Sequence, residues 1–179
     1  MRFHLGRIQL NFMAMLCCMA FLGGTFQGCG YRLVGSGSLP SGVTRIAVPV
    51  LENRTGESGL EIIVTNAILD EMTRRQKNLV VDETQAEAIL AGSINSLSAT
   101  TAGRATLLNA VERRLAITAS LTLKRTNGDV LWQDLSLRVE QAYQVRDAQT
   151  ETNAERRGAI AAASQRLAEY VYERLTDSF

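Results

Sequence analysis

The sequence predicts an α+β fold, with two helices packed on one face of a small, mostly antiparallel or mixed sheet in the order β-α-β-β-β-α. Three observations carry this prediction. Two segments, around residues 57–75 and 152–176, place apolar residues at three- and four-residue spacing, the period of a helix with one buried stripe. Between them, Val111 to Leu137 alternates apolar and polar residues about Asn127-Gly128, a strong short hairpin signal. Ahead of the first helix, Arg45 to Val50 alternates in the same way.

In chain order, Ile46, Val48 and Val50 share one side of the first expected strand, and Pro49 marks it as an edge or a strand end. Glu52-Asn53-Arg54-Thr55-Gly56 reads as a turn. The first helix, Glu57 to Arg75, carries the stripe Leu60, Ile63, Val64, Ala67, Ile68 and Met72. Ser58 is its expected N-cap, with Glu61 completing a capping box. Arg74, Arg75 and Lys77 lie at the negative end of the helix dipole. Leu79-Val80-Val81 is a short strand, Asp82 to Glu87 a turn, and Ala88 to Leu97 a further strand with Leu90 and Ile94 on one face.

In the hairpin, Leu115, Ile117, Ala119, Leu121 and Leu123 alternate with Arg114, Ala116, Thr118, Ser120 and Thr122. The return strand is expected to put Leu131, Leu135, Leu137 and Val139 inside and Trp132, Asp134, Ser136, Arg138 and Glu140 outside. One face is therefore packed and the other meets something polar. The last helix carries Ile160, Ala163, Leu167, Tyr170, Val171 and Leu175, and the run Ala161 to Ala163 allows close approach to the sheet.

The first 28 residues differ from everything after them. Arg2, His4 and Arg7 form a basic head, and no charged residue follows until Arg32. Phe12 to Leu22 is an apolar run that rises only ~16 Å as a helix, short of the ~30 Å hydrocarbon core of a bilayer. A basic head, a short apolar middle and a Gly-rich exit are the parts of a secretory signal peptide. The small residue Gly28 directly before Cys29 resembles a bacterial lipobox, in which the cysteine receives a diacylglycerol and the peptide is cut before it. Phe26 and Gln27 depart from that pattern, and an ordinary signal peptide with Cys29 incidental is the alternative. On the lipobox reading, Gly30 after the cysteine directs the chain to the outer membrane. The expected organisation is a removed signal at 1–28, a lipidated flexible arm at 29–43, and a single α+β domain at 44–179.

Composition narrows the function. The 179 residues hold 19 basic and 18 acidic side chains, one histidine and three cysteines. Such a balance excludes a generally basic nucleic-acid binder. The one histidine, His4, leaves with the signal, and no nucleophile–base pairing, phosphate loop or metal-ligand spacing occurs in the remainder. No catalytic residue, metal or cofactor is expected. Arginine dominates the basic residues. Arg104, Arg113 and Arg114 gather before the hairpin and Arg146 follows it. They read either as ordinary surface charge or as a patch for the phosphates of an anionic lipid.

Several stretches together resemble the LptE family of lipopolysaccharide-assembly lipoproteins. Cys29-Gly30-Tyr31-Arg32-Leu33, then Ile46-Ala47-Val48-Pro49-Val50 with Glu52-Asn53-Arg54-Thr55, are similar to its opening. Ala88 to Ile94 is similar to its middle strand and Gly128-Asp129-Val130-Leu131-Trp132 to its hairpin turn. Arg166-Leu167-Ala168-Glu169 and Tyr172-Glu173-Arg174-Leu175 are similar to its last helix. The resemblance implies a non-enzymatic plug in the large outer-membrane β-barrel LptD, in a one-to-one complex. It further implies a periplasm-facing lipid anchor at Cys29 and a part in lipopolysaccharide transport. Arg104, Arg113, Arg114 and Arg146 are the implied lipopolysaccharide contacts, and Thr118, Ser120 and Thr122 a row suited to a polar barrel lumen. The run from Ile46 to Gly56 also resembles lipoproteins that activate peptidoglycan synthases and lipoproteins of secretion pores. The arm of about fifteen residues reaches only ~50 Å at ~3.5 Å per residue, which keeps the domain near the membrane.

Overall fold

The computed structural model describes residues 38–105, 110–146 and 148–177. Five strands and two α-helices form the α+β architecture: β1 (Ile46–Ala47), β2 (Glu52–Asn53), α1 (Leu60–Arg75), β3 (Ala88–Ala105), β4 (Ala110–Arg125), β5 (Val130–Val145) and α2 (Gln149–Thr176). The sheet runs β1-β3-β4-β5, with β2 also on β3; β1 and β2 are parallel to β3 and the long strands antiparallel. Both helices lie on one face, and their stripes merge with the inner side chains of the sheet into a single core.

The edge strand comes in two pieces. Ile46 pairs with Ala88 and Glu52 with Ser93, so Glu52-Asn53 continues the strand rather than forming the expected turn. Between them Pro49 has no N–H to give a ladder. Buried Leu51 donates its N–H to the Thr65 hydroxyl of α1 at 3.1 Å instead. The expected strand at Leu79–Val81 reduces to one parallel bridge between Val80 and Ile46. Leu39, Pro40 and Val43, in the stretch read as an arm, are buried against this domain.

The helix α1 does not start on Ser58. Its N-cap is Gly59 in the left-handed region (φ 82°), and no side chain caps it. From outside the helix, Asn53 fixes the approach to it instead, donating Nδ2 to the Glu57 carbonyl (2.8 Å) and to Glu61 Oε2 in the first turn (2.7 Å). Ile63 is left 41% exposed, because Leu60, Val64, Ile68 and Met72 already fill the face toward the core. In α2, Ala159, Ile160, Ala163, Leu167, Val171 and Leu175 are buried, but Ala161 and Ala162 face out.

The long strands carry bulges that periodicity does not reveal. In β3, Asn95 is an extra residue between the pairs Ile94↔Ala119 and Ser96↔Thr118. In β5, the pairs Ala119↔Leu137 and Leu121↔Asp134 leave one residue too many at Leu135-Ser136. One extra residue inverts every side chain beyond it. Trp132 and Asp134, expected outside, therefore sit opposite Leu123 and Leu121 on the helix side. Trp132 packs on the core, and Asp134 meets Arg174 of α2 at 3.8 Å. Leu135, expected inside, is 64% exposed. The hairpin closes through Asn127-Gly128 as expected, with Gly128 at φ 100° and its N–H donating to the Arg125 carbonyl at 2.8 Å.

Candidate functional site

The open face of the sheet is the candidate interface. Opposite the helices, β3 presents Ala91, Ser93, Ser96, Ser98 and Thr100, and β4 presents Ala116, Thr118, Ser120 and Thr122. On β5, Gln133 donates Nε2 to the Thr122 hydroxyl at 3.2 Å. No described helix covers this surface. The face is lined with small hydroxyl-bearing side chains, a composition suited to a polar partner and poorly suited to lipid tails.

At the β3 bulge this row becomes a network. The Ser93 and Ser120 hydroxyls lie 3.1 Å apart, Ser93 donates to Asn95 Oδ1 at 2.9 Å, and Asn95 Nδ2 donates to Ser120 Oγ at 3.1 Å. Ser93 is buried and fully partnered there. Thr118, Ser120 and Thr122 were legible as a polar row in β4. Their counterparts on β3 were not, because the bulge at Asn95 shifts the alternation of Ser93 against Ser96 and Ser98.

The four nominated arginines belong to one end of the sheet. Arg104 pairs with Val111, Arg114 with Thr100 and Ala142, Arg113 with Tyr143, and Arg146 directly follows Val145, the partner of Val111. They do not share one face. Arg114 lies on the open face with its Nη1 3.5 Å from Glu140, which also takes Arg138 at 2.9 Å. All three side chains are 40% or more exposed, so these pairs hold little energy. Arg113 lies on the helix side and is exposed. Arg146 is oriented by α2: the Thr152 hydroxyl accepts its N–H (2.9 Å) and donates to its carbonyl (3.0 Å), while its guanidinium meets Glu155 at 3.1 Å. Cys29 lies outside the described residues.

Two charged clusters that the sequence reading missed hold the helices behind this surface. Arg156 of α2 grips Glu57 with two hydrogen bonds of 2.8 and 2.6 Å, which lowers the Glu57 carboxyl below its ordinary range and raises the guanidinium. Thr55 links the same turn, its N–H and hydroxyl donating to Asn53 Oδ1 at 2.9 and 2.8 Å. The Asn53-to-Glu57 segment thereby staples β2, α1 and α2 together. On the other side, Glu71 is 2% exposed. Burial raises its pKa, but hydrogen bonds from Arg75 and Arg74 outweigh that and the net direction is down. Arg75 also lies over the Tyr172 ring of α2, 5.5 Å from its centre. Sequence spacing contained the Glu71–Arg75 pair at i,i+4; the 99-residue separation of Glu57 and Arg156 left no local signal.

A family model described as LptE: Lipopolysaccharide-assembly matches residues 43–175. Among solved structures, lipoprotein B from Nitrosomonas europaea is similar at TM-score 0.53 and 13% identity, covering 78% of this chain and 84% of that one. Rare lipoprotein B from Shewanella oneidensis is similar at TM-score 0.51 and 12% identity, over 72% and 94%. A lipoprotein from Caulobacter crescentus CB15 is similar at TM-score 0.50 and 15% identity, over 72% and 89%. At such identities the likeness shows a shared fold. No curated protein matches the chain.

Proposed function

The chain belongs to the LptE family of lipopolysaccharide-assembly proteins, and from that premise we propose that it is the lipid-anchored plug of the large outer-membrane β-barrel LptD. The observation that supports this reading is the uncovered, hydroxyl-lined face of β3 and β4, opposite a helix layer that closes the core. A barrel lumen is polar, and a plug needs one side that is finished internally and one that can hydrogen-bond to the wall. No described helix is long and apolar enough to cross a membrane, and anchoring is assigned to acyl chains on Cys29. Arg104, Arg113, Arg114 and Arg146 are the residues we assign to lipopolysaccharide phosphates, at the end of the sheet where β3 and β4 connect. Arginine forks suit that chemistry.

The test is co-purification of the C-terminally tagged chain from outer membranes in detergent, with photo-crosslinkers at Thr118 and Thr122. Recovery of one large β-barrel at one-to-one stoichiometry, stable in high salt and crosslinked from both positions, is expected. Recovery of a peptidoglycan synthase, or of a ring of this chain without a barrel, would overturn the reading.

A further inference from the structure

The strand β5 ends the sheet, with β4 on one side and no described strand on the other. Its pairing with β4 is regular from Leu137 to Val145. In an antiparallel ladder, alternate residues turn both N–H and C=O to the neighbour, and the residues between them turn both away. Two side-chain hydrogen bonds identify the outward set. Arg166 of α2 donates Nη1 to the Glu140 carbonyl at 2.7 Å, and Gln141 donates Nε2 to the Ala142 carbonyl at 3.1 Å. Glu140 and Ala142 thus face the open edge, together with Arg138 and Gln144. Two carbonyls that an added strand would use are already taken by the chain's own side chains. An uncovered edge this long is a template for pairing unless something blunts it.

We propose that β5 from Leu137 to Val145 is a latched strand-pairing edge: Arg166 and Gln141 hold it closed, and its partner once they are removed is β5 of a second copy of this chain. The register selects that occupant. An antiparallel pair centred on Gln141 sets Leu137 against Val145 and Val139 against Tyr143, apolar opposite apolar on the helix side. On the other face it sets Arg138 against Gln144 and Glu140 against Ala142, so like charges never meet. Space is available, because an open groove of about 620 Å³ runs beside Gln141–Tyr143, where α2 offers the small residues Ala154, Gly158 and Ala162. Arg166 is the stronger half of the latch, since its donor is charged. Its side chain is exposed, so its loss leaves the core intact.

The full chain, overproduced relative to any barrel partner and separated from barrel-bound material in density-matched detergent, is followed by sedimentation equilibrium as wild type, R166A/Q141A, and R166A/Q141A/A142P. Wild type is expected to be monomeric. The double variant should dimerise at least about 1,000-fold more tightly, because each of the two copies is spared breaking one charge-assisted and one neutral hydrogen bond. Proline at 142 removes an outward N–H and should restore the monomer. Native circular dichroism in each variant establishes folding. A natively folded double variant that stays monomeric, a dimer indifferent to A142P, or a wild type that already dimerises each overturns the latch.

Discussion

Gly92 of β3 pairs with Leu121 of β4, and replacing it with alanine tests the register on which the open face depends. A Cβ at this position would lie 2.7 Å from Leu121 Cδ2, 2.9 Å from Leu121 Cα, and closer still to the Ser120 carbonyl oxygen. Carbon atoms do not approach backbone so closely, and two of the three obstacles are main chain. The relief must come from β4 moving. Parting the strands by on the order of 1 Å carries a bond of about 2.9 Å beyond hydrogen-bonding range. Loss of two such bonds costs about 2 kcal/mol, and displacing the fully buried Leu121 adds about 1–3 kcal/mol of overpacking. The stiffer unfolded chain offsets about 0.5–1 kcal/mol. The net expectation for Gly92→Ala is a loss of about 2–4 kcal/mol, a fall of roughly 10 °C in Tm for a domain of this size. Thermal unfolding followed by circular dichroism measures it. A Tm within 2 °C of wild type, ~2 °C being less than the shift from about 1 kcal/mol, would refute the Gly92↔Leu121 pairing.

Two further perturbations address the charged clusters. Glu71→Gln removes the buried carboxylate that Arg74 and Arg75 share. It should cost about 2–3 kcal/mol by urea titration, below the full buried-pair value because Arg74 is half exposed. The native carboxyl titrates below its unfolded value, so its contribution is complete above the unfolded pKa of about 4.3 and fades as pH falls through the lower native one. The difference between wild type and Glu71→Gln should accordingly be constant at neutral pH and shrink in acid; a difference that grows in acid contradicts the assignment. For the staple, a double-mutant cycle of Glu57→Gln and Arg156→Gln should show a coupling of about 1 kcal/mol, reduced from the buried limit because both groups are about one-third exposed. Additive effects would show that the two-pronged contact carries no stability of its own.

Local features of this protein were decided by the sequence alone. Apolar residues at helical spacing placed α1 and α2 within a few residues of their ends, since a stripe is buried or exposed as a unit. Asn127-Gly128 located the hairpin, because only a residue free to adopt φ 100° closes that turn without strain. The expected signal segment and the expected lipidation of Cys29 rest on composition alone, and both lie outside the described residues. Tertiary structure decided what depends on a partner strand or a distant helix. Alternation announces that one face of β5 is buried but not where it slips. The bulge at Leu135-Ser136 reassigned Trp132, Asp134 and Leu135, because inserting one residue reverses the pleat for all that follow. The hold on the approach to α1 came from Asn53 and the tie of that segment to α2 from Arg156, which meets Glu57 only after the chain has folded back on itself. For the same reason Arg104, the adjacent pair Arg113-Arg114 and Arg146, spread over 42 positions, came to one end of the sheet only through the antiparallel register of three long strands.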